Sequence, residues 1–273
     1  MIILMLILLG LCLGSFINAL IWRLHAQDKL KSKKERNKYS ISTGRSMCMH
    51  CKHPLSTVDL IPVVSWLWLR GKCRYCGYTI PDNPISELLT PALFVVSYLY
   101  WPLTFNTEGK VLFGFWMIYL TGFIALALYD LRWYVLPNRI IFPLMYLAGF
   151  QILIQLLFFD YSLNKLLLIG ISVLVAGGIF WCLFQYSDGK WIGGGDVKLG
   201  FLIGAILATR ILCVLYIFIA SLIGTLVSLP LMIIGRAKKT SHLPFGPFLL
   251  MSTFIVYLFG LSIVDWYKAL VGL

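Results

Sequence analysis

Apolar residues fall in blocks far longer than any amphipathic period: 1–22, 85–103, 111–128, 137–159, 163–186, 196–207, 211–234 and 248–264. Most reach the roughly 18 residues that carry a helix across a bilayer. Lipid offers a backbone no hydrogen-bond partner, so the spans are predicted as helices that satisfy themselves. The pattern predicts an all-α polytopic membrane bundle of about eight transmembrane helices. It divides into a first transmembrane helix at 1–22, a long polar loop at 23–84 and a transmembrane domain at 85–273. Pro137 is placed to open the fourth helix, and the Pro244-Phe245-Gly246-Pro247 run breaks the chain before the eighth.

Composition excludes a soluble domain, since 60% of the residues are hydrophobic and only 12% charged. The formal charge of +12 raises nucleic acid as a partner. Its distribution excludes that, because twelve of the Lys and Arg residues lie between Arg23 and Arg74, directly after the first apolar block. The first block has no basic residue before it and no small-x-small site, so a retained anchor is expected, not a cleaved signal. The N-terminus then faces out and the loop faces the cytoplasm. With eight spans, nineteen Lys and Arg residues fall inside, including Arg236, Lys238 and Lys239, and four fall outside. Asp160 begins an outer turn at 160–164. The bilayer is a partner, and nucleic acid is not.

Within the loop, 29–45 lacks an apolar period and reads as a solvated, mobile linker. Cys48-x-x-Cys51 and Cys73-x-x-Cys76 follow, about twenty residues apart. Four thiolates at this spacing suit a closed tetrahedral Zn²⁺ site of structural type; the competing reading is a disulfide pair or four idle thiols. His50 and His53 are spare candidates read as solvated, and 58–69, with Trp66 and Trp68, reads as an interfacial or bundle-covering segment too short to span. Cys12, Cys182 and Cys213 sit in apolar runs as packing residues. Gly14, Ser15 and Asn18 share one face of the first helix, as small-residue packing with an interhelical hydrogen bond would need.

Two acids stand at the mouths of apolar runs on the same side of the predicted topology, Asp130 and Asp196. A carboxylate at the edge of hydrocarbon is costly and marks function more often than packing. For Asp196 alone, helix N-capping competes. Two carboxyls in a partly desolvated site share a proton, so one activates water while the other hydrogen-bonds a scissile carbonyl. Gly193, Gly194 and Gly195 would let an extended peptide approach, with Lys198 one turn on. A nucleotide loop is disfavoured because the Gly-x-Gly-x-x-Gly spacing is missing. Asp188 lies in a Ser-Asp-Gly turn and reads as a loop residue.

Several stretches, taken together, resemble the type IV prepilin peptidase family nearly end to end. They are Gly14-Ser15-Phe16-Ile17-Asn18, the four cysteines, Leu69-Arg70-Gly71-Lys72-Cys73, Glu87-Leu88-Leu89-Thr90, Asp130 with Leu136-Pro137-Asn138, Gly193-x-Gly195-Asp196, and Pro244-Phe245-Gly246-Pro247. His25 and Met49 depart from proline positions of the family pattern without removing a functional group. The resemblance implies a cytoplasmic-face aspartyl endopeptidase that removes the basic leader of prepilins and pseudopilins. It also implies N-methylation of the new terminus with S-adenosylmethionine. Asp130 and Asp196 would be the catalytic pair, and Cys48, Cys51, Cys73 and Cys76 would hold zinc beside the methyltransferase part. A peptidase without methyltransferase activity is one alternative, and a proton-coupled transporter is a more remote one. The transporter is disfavoured because both acids sit at one face and no pair of broken helices lies near mid-membrane.

Overall fold

The structure, a computed structural model, describes residues 1–41, 44–80, 83–159, 162–234 and 244–272, apart from the Lys33 side chain. Arg236, Lys238 and Lys239, expected inside, and Asp160, expected in an outer turn, lie outside the described residues. Helices alone form the described secondary structure, with two isolated β-bridges and no strand. The chain divides into two compact units, 1–99 and 100–273.

The first unit contains α1 (Ile2–Lys29), α2 (Lys33–Lys38), a 3₁₀ turn (Val58–Leu60), α3 (Val64–Trp68) and α4 (Ile85–Leu99). Helix α1 does not stop near Trp22 as expected: the Arg-Leu-His-Ala-Gln-Asp-Lys continuation has good helix formers and no breaker. Glycines let α1 and α4 touch. A methyl group built on Gly10 would lie 2.5 Å from Pro91 Cα, and one on Gly14 would lie 2.5 Å from the Ser86 carbonyl oxygen. The Ser86 hydroxyl donates to the Gly14 carbonyl at 2.9 Å, which is the interhelical bond expected of this face.

The segment after α1 is not a free linker. The Arg23 guanidinium donates to the carbonyls of Ser40, Ile41 and Gly44 at 3.0–3.2 Å, and Gln27 Nε2 donates to the Tyr39 carbonyl at 2.6 Å. Edge-on contact between Trp22 and Tyr39 adds to this anchoring. The buried Arg23 cation thus finds its oxygen partners in this segment.

The second unit contains α5 (Thr107–Trp133), α6 (Asn138–Phe158), α7 (Leu163–Tyr186), α8 (Gly194–Leu207), α9 (Arg210–Ile233) and α10 (Gly246–Val271). Helix α5 starts where Asn106 Oδ1 accepts the Gly109 N–H at 2.7 Å, and it ends where Tyr134 turns left-handed at φ 57°. At its centre Trp116 is fully buried and stacks on Tyr257 with ring centroids 3.9 Å apart. Helix α8 is apolar on every side and buried between α6, α7, α9 and α10, as such a helix must be. Methyl groups on Gly200 and Gly204 would meet the backbone of α7 at 2.8 and 2.7 Å, so close backbone approach joins the two helices.

Among the described residues, α1, α5, α6, α7, α9 and α10 are long and apolar enough to cross a membrane. The fold is therefore a multi-spanning membrane bundle. Helices α4 and α8, read from the sequence as spans, have only 15 and 14 residues. At 1.5 Å per residue they reach about 22 and 21 Å, short of the ~30 Å hydrocarbon core. Helix α4 ends at Leu99 and not at 103, because Pro102 removes an amide donor just beyond it. Cys213 is buried as expected, whereas Cys12 and Cys182 are exposed and fill no core position.

Candidate active site and metal centre

In the second unit, Asp130 lies in the last turn of α5 and is 5% exposed. Its carboxyl lies against Gly246, the first residue of α10. The fit is close, since a methyl group on Gly246 would lie 2.6 Å from Asp130 Oδ2 and 3.3 Å from Leu136 Cδ2. The Pro244-Phe245-Gly246-Pro247 run thus does more than break the chain, and its glycine lays backbone against the carboxylate. Sequence reading assigned Gly246 no place in the site; the signal was a glycine between prolines at a helix start.

Asp196 is half-buried in the first turn of α8. It is not the N-cap, which is Gly193. Its carboxylate folds back beside Gly193, with Oδ2 3.3 Å from where a methyl group on that glycine would stand. The Asp196 N–H donates to the Gly193 carbonyl at 3.0 Å. Asp130 and Asp196 meet at Leu136, which packs on Gly246 beside Asp130 and on Gly195 beside Asp196, and the Asp130 charge acts on Asp196. Gly195 packs on Leu136, where an added methyl would meet Cβ at 2.8 Å. Gly194 stands beside Phe184. Lys198 donates to Asn138 Oδ1 at 2.8 Å and lies 5.5 Å from the centre of the Phe142 ring, which ties α8 to the start of α6. Asp188 occupies a turn at φ 49°, a loop position as expected.

In the first unit, the thiols of Cys48, Cys51, Cys73 and Cys76 all lie within 4.8 Å of one another, and no disulfide joins them. Tetrahedral Zn²⁺ with Zn–S bonds of about 2.3 Å separates its sulfurs by roughly 3.8 Å. The Cys48 and Cys76 sulfurs are 3.9 Å apart, and the whole donor set lies close enough to hold a metal ion. Two matching turns build the cluster. In one, the Cys48 N–H donates to the His53 carbonyl across a left-handed Lys52 at φ 58°. In the other, the Cys73 N–H donates to the Tyr78 carbonyl across Gly77 at φ 69°. Rings interlock between the turns, His50 stacking on Tyr78 at 4.5 Å and His53 on Tyr75 at 3.8 Å. The histidines are exposed, and each stacks on a tyrosine of the other turn.

The Tyr78 N–H favours the Cys76 thiolate, but desolvation and hydrogen bonds with Cys51, Cys73 and Cys48 outweigh it and push the thiol up to about 11. A cation is the chemical complement of such a cluster, because it displaces the shared protons. Asp59 locks the second turn in place: it accepts from Arg74 Nε at 2.7 Å, the Ser56 hydroxyl at 2.8 Å, the Tyr75 hydroxyl at 3.1 Å and the Ser56 N–H at 3.1 Å. Desolvation raises its pKa, but these hydrogen bonds outweigh it and hold the carboxyl below the ordinary value. The 58–69 segment leaves Val64, Leu67 and Trp68 exposed, as an interfacial segment would.

A helical membrane bundle with carboxyl groups at two helix termini and a four-thiol cluster able to hold a metal ion defines the class: a polytopic membrane protein. Comparison narrows it. The profile of the bacterial peptidase A24 N-terminal domain matches residues 8–101, and that of the type IV leader peptidase family matches residues 117–229. The chain is 30% identical over 275 residues to a prepilin leader peptidase/N-methyltransferase of Aeromonas hydrophila, covering 95% of this chain and 91% of that protein. A protein of the same name from Bacillus subtilis (strain 168) is 32% identical over 230 residues, covering 84% and 87%. One from Pseudomonas aeruginosa is 30% identical over 282 residues, covering 97% and 93%. No solved structure matches. The chain belongs to the type IV prepilin peptidase family.

Proposed function

We propose that the protein is a membrane aspartyl endopeptidase that removes the basic leader of type IV prepilins or pseudopilins at the cytoplasmic face of the inner membrane. The observation that supports this reading is the convergence of Asp130 and Asp196 around Leu136, which packs on Gly246 beside Asp130 and on Gly195 beside Asp196. Two carboxyls this close share one proton between them. The ionised one takes a proton from water, whose oxygen attacks the scissile carbonyl. The protonated one donates to that carbonyl oxygen and later returns a proton to the leaving amine. Gly193 leaves room beside Asp196 for an extended substrate backbone, Gly194 and Gly195 lie against Phe184 and Leu136, and Lys198 holds the α6 end of the site through Asn138.

The positive-inside distribution of Lys and Arg supports an outward N-terminus and a cytoplasmic cysteine lobe; eight spans then require the short α4 and α8 to cross where the bilayer thins to meet them. We assign zinc to the four cysteines as a structural ion, since four protein thiolates leave no open coordination position. The names of the relatives add N-methylation of the freed terminus. When bound, S-adenosylmethionine would supply an electrophilic methyl group for the freed terminal amine. Asp130→Asn and Asp196→Asn should each abolish leader cleavage while the protein still inserts, and cleavage by either variant would overturn the catalytic pair. Transfer of label from S-adenosylmethionine to cleaved pilin separates the bifunctional enzyme from a peptidase alone.

A further inference from the structure

Tyr216 of α9 is fully buried, and its hydroxyl, among the described residues, has no hydrogen-bond partner. A buried hydroxyl left unmet is costly, and native proteins keep few of them. Backbone and ring are both held in place. The Ser252 hydroxyl donates to the Tyr216 carbonyl at 2.6 Å, which fastens this turn of α9 to α10, and Phe180 of α7 sits edge-on to the ring with centroids 6.5 Å apart.

Its neighbours connect it to the acid pair. Asp196 and Gly200 are one helical turn apart and share a face of α8. Gly200 lies against Phe180, where an added methyl would stand 2.8 Å from Cδ2. The same Phe180 ring is edge-on to Tyr216 and, at 6.2 Å, to Phe245, the residue before Gly246. Tyr216 therefore stands on the side of α8 that carries Asp196, joined through Phe180 to the glycine that walls Asp130. The Asp196 charge acts on the Tyr216 hydroxyl, yet no direct hydrogen bond joins them. A hydroxyl and a carboxylate so placed are the two polar partners that a single buried water needs.

We propose that Tyr216 is a positioning residue for the acid pair, its hydroxyl donating through one water molecule to the Asp196 carboxylate. A hydrogen bond to the ionised form favours that form, so Asp196 takes the proton from the attacking water while Asp130 carries the proton the pair shares. The bridging water stands on the buried side of Asp196 and is distinct from the one that attacks the peptide bond. This inference rests on the aspartyl-peptidase reading and adds the group that decides which acid is ionised. Besides Asp130, the charged or titratable groups around this spot are Arg132 on α5, Arg139 on α6, Lys198 on α8 and Cys213 on α9. The stretches of α7 and α10 that pack here, 172–180 and 246–252, carry none. All these groups stay in place when only the Tyr216 hydroxyl is removed.

The test compares the full-length wild type, Tyr216→Phe and Ser252→Ala in lipid nanodiscs, following kcat and KM for cleavage of purified prepilin across pH. Tyr216→Phe keeps the ring and its packing and loses only the hydroxyl. It should lower kcat about tenfold, the scale of one hydrogen bond to a charged group, and leave KM unchanged. Without that bond the Asp196 carboxyl ionises less readily, so the acid limb of the kcat profile should move up by about one pH unit. Ser252→Ala loosens the α9–α10 contact but keeps the hydroxyl, so it should lower the unfolding temperature without moving the acid limb. An acid limb that stays at the wild-type position in Tyr216→Phe, or moves equally in Ser252→Ala, overturns the role of Tyr216. Asp130→Asn and Asp196→Asn, measured alongside, separate the two readings. If both are inactive, that result leaves the peptidase reading standing; if either cleaves, the peptidase reading falls and the role of Tyr216 falls with it.

Discussion

Gly246→Ala tests the geometry of the acid pair without touching either carboxyl. The added methyl would lie 2.6 Å from Asp130 Oδ2, which is some ~0.7–0.9 Å inside ordinary van der Waals contact. Leu136 Cδ2, 3.3 Å away on the other side, leaves the methyl little room to retreat. Either the Asp130 carboxyl or the start of α10 must move. Overpacking of this kind costs about 1–3 kcal/mol of stability. Misplacing a catalytic group by about 1 Å costs up to ~10²-fold in rate, so kcat for leader cleavage should fall about 10- to 100-fold. Gly193→Ala is the graded control: its methyl would stand 3.3 Å from Asp196 Oδ2, a contact that a few tenths of an ångström relieves, so its loss should be several-fold smaller. The assay is cleavage of purified prepilin by the enzyme in micelles, with thermal unfolding measured alongside. Methyl transfer to a pre-cleaved peptide should persist, because the cysteine lobe, beside which the family resemblance puts that activity, lies in the other unit. A folded Gly246→Ala enzyme with wild-type kcat, or one no slower than Gly193→Ala, would show that this contact does not position Asp130.

The metal lobe and the helix junction give further expectations. Cys48→Ser or Cys73→Ser should lower bound zinc and destabilise the lobe while Asp130 and Asp196 continue to cleave; elemental analysis that finds no zinc in the wild-type protein would refute the metal assignment. Asp59→Asn removes the ion pair with Arg74 and weakens three further hydrogen bonds. Bonds to a charged group are worth about 1.5–3 kcal/mol, so chelator should strip the metal at least several-fold faster, and an unchanged rate would show that Asp59 does not hold the second turn. Asn138→Ala frees Lys198 from its partner at 2.8 Å and should slow cleavage a few-fold with less than about 1 kcal/mol of lost stability, as calorimetry would check.

The sequence by itself determined what depends on neighbours along the chain. Long apolar blocks dictate membrane helices because lipid leaves the backbone no other partner. Two Cys-x-x-Cys turns announce a metal site because each turn is a local structure closed by its own hydrogen bonds. The isolated acids at Asp130 and Asp196 stand out because hydrocarbon penalises them. Helix ends were less legible: α1 runs past Arg23 because that cation finds carbonyls beyond the apolar block, and hydropathy sees only its charge. Tertiary structure alone decided that Gly246 walls Asp130, that Gly193 and not Asp196 caps α8, and that α1 meets α4 through Gly10 and Gly14. It alone placed Tyr216 against Phe180, on the side of α8 that carries Asp196. Each of these pairs residues on different helices or distant loops, or turns on which N–H a carboxylate reaches. Backbone approach and side-chain direction in the packed bundle settle such contacts, and no periodicity along the chain encodes them.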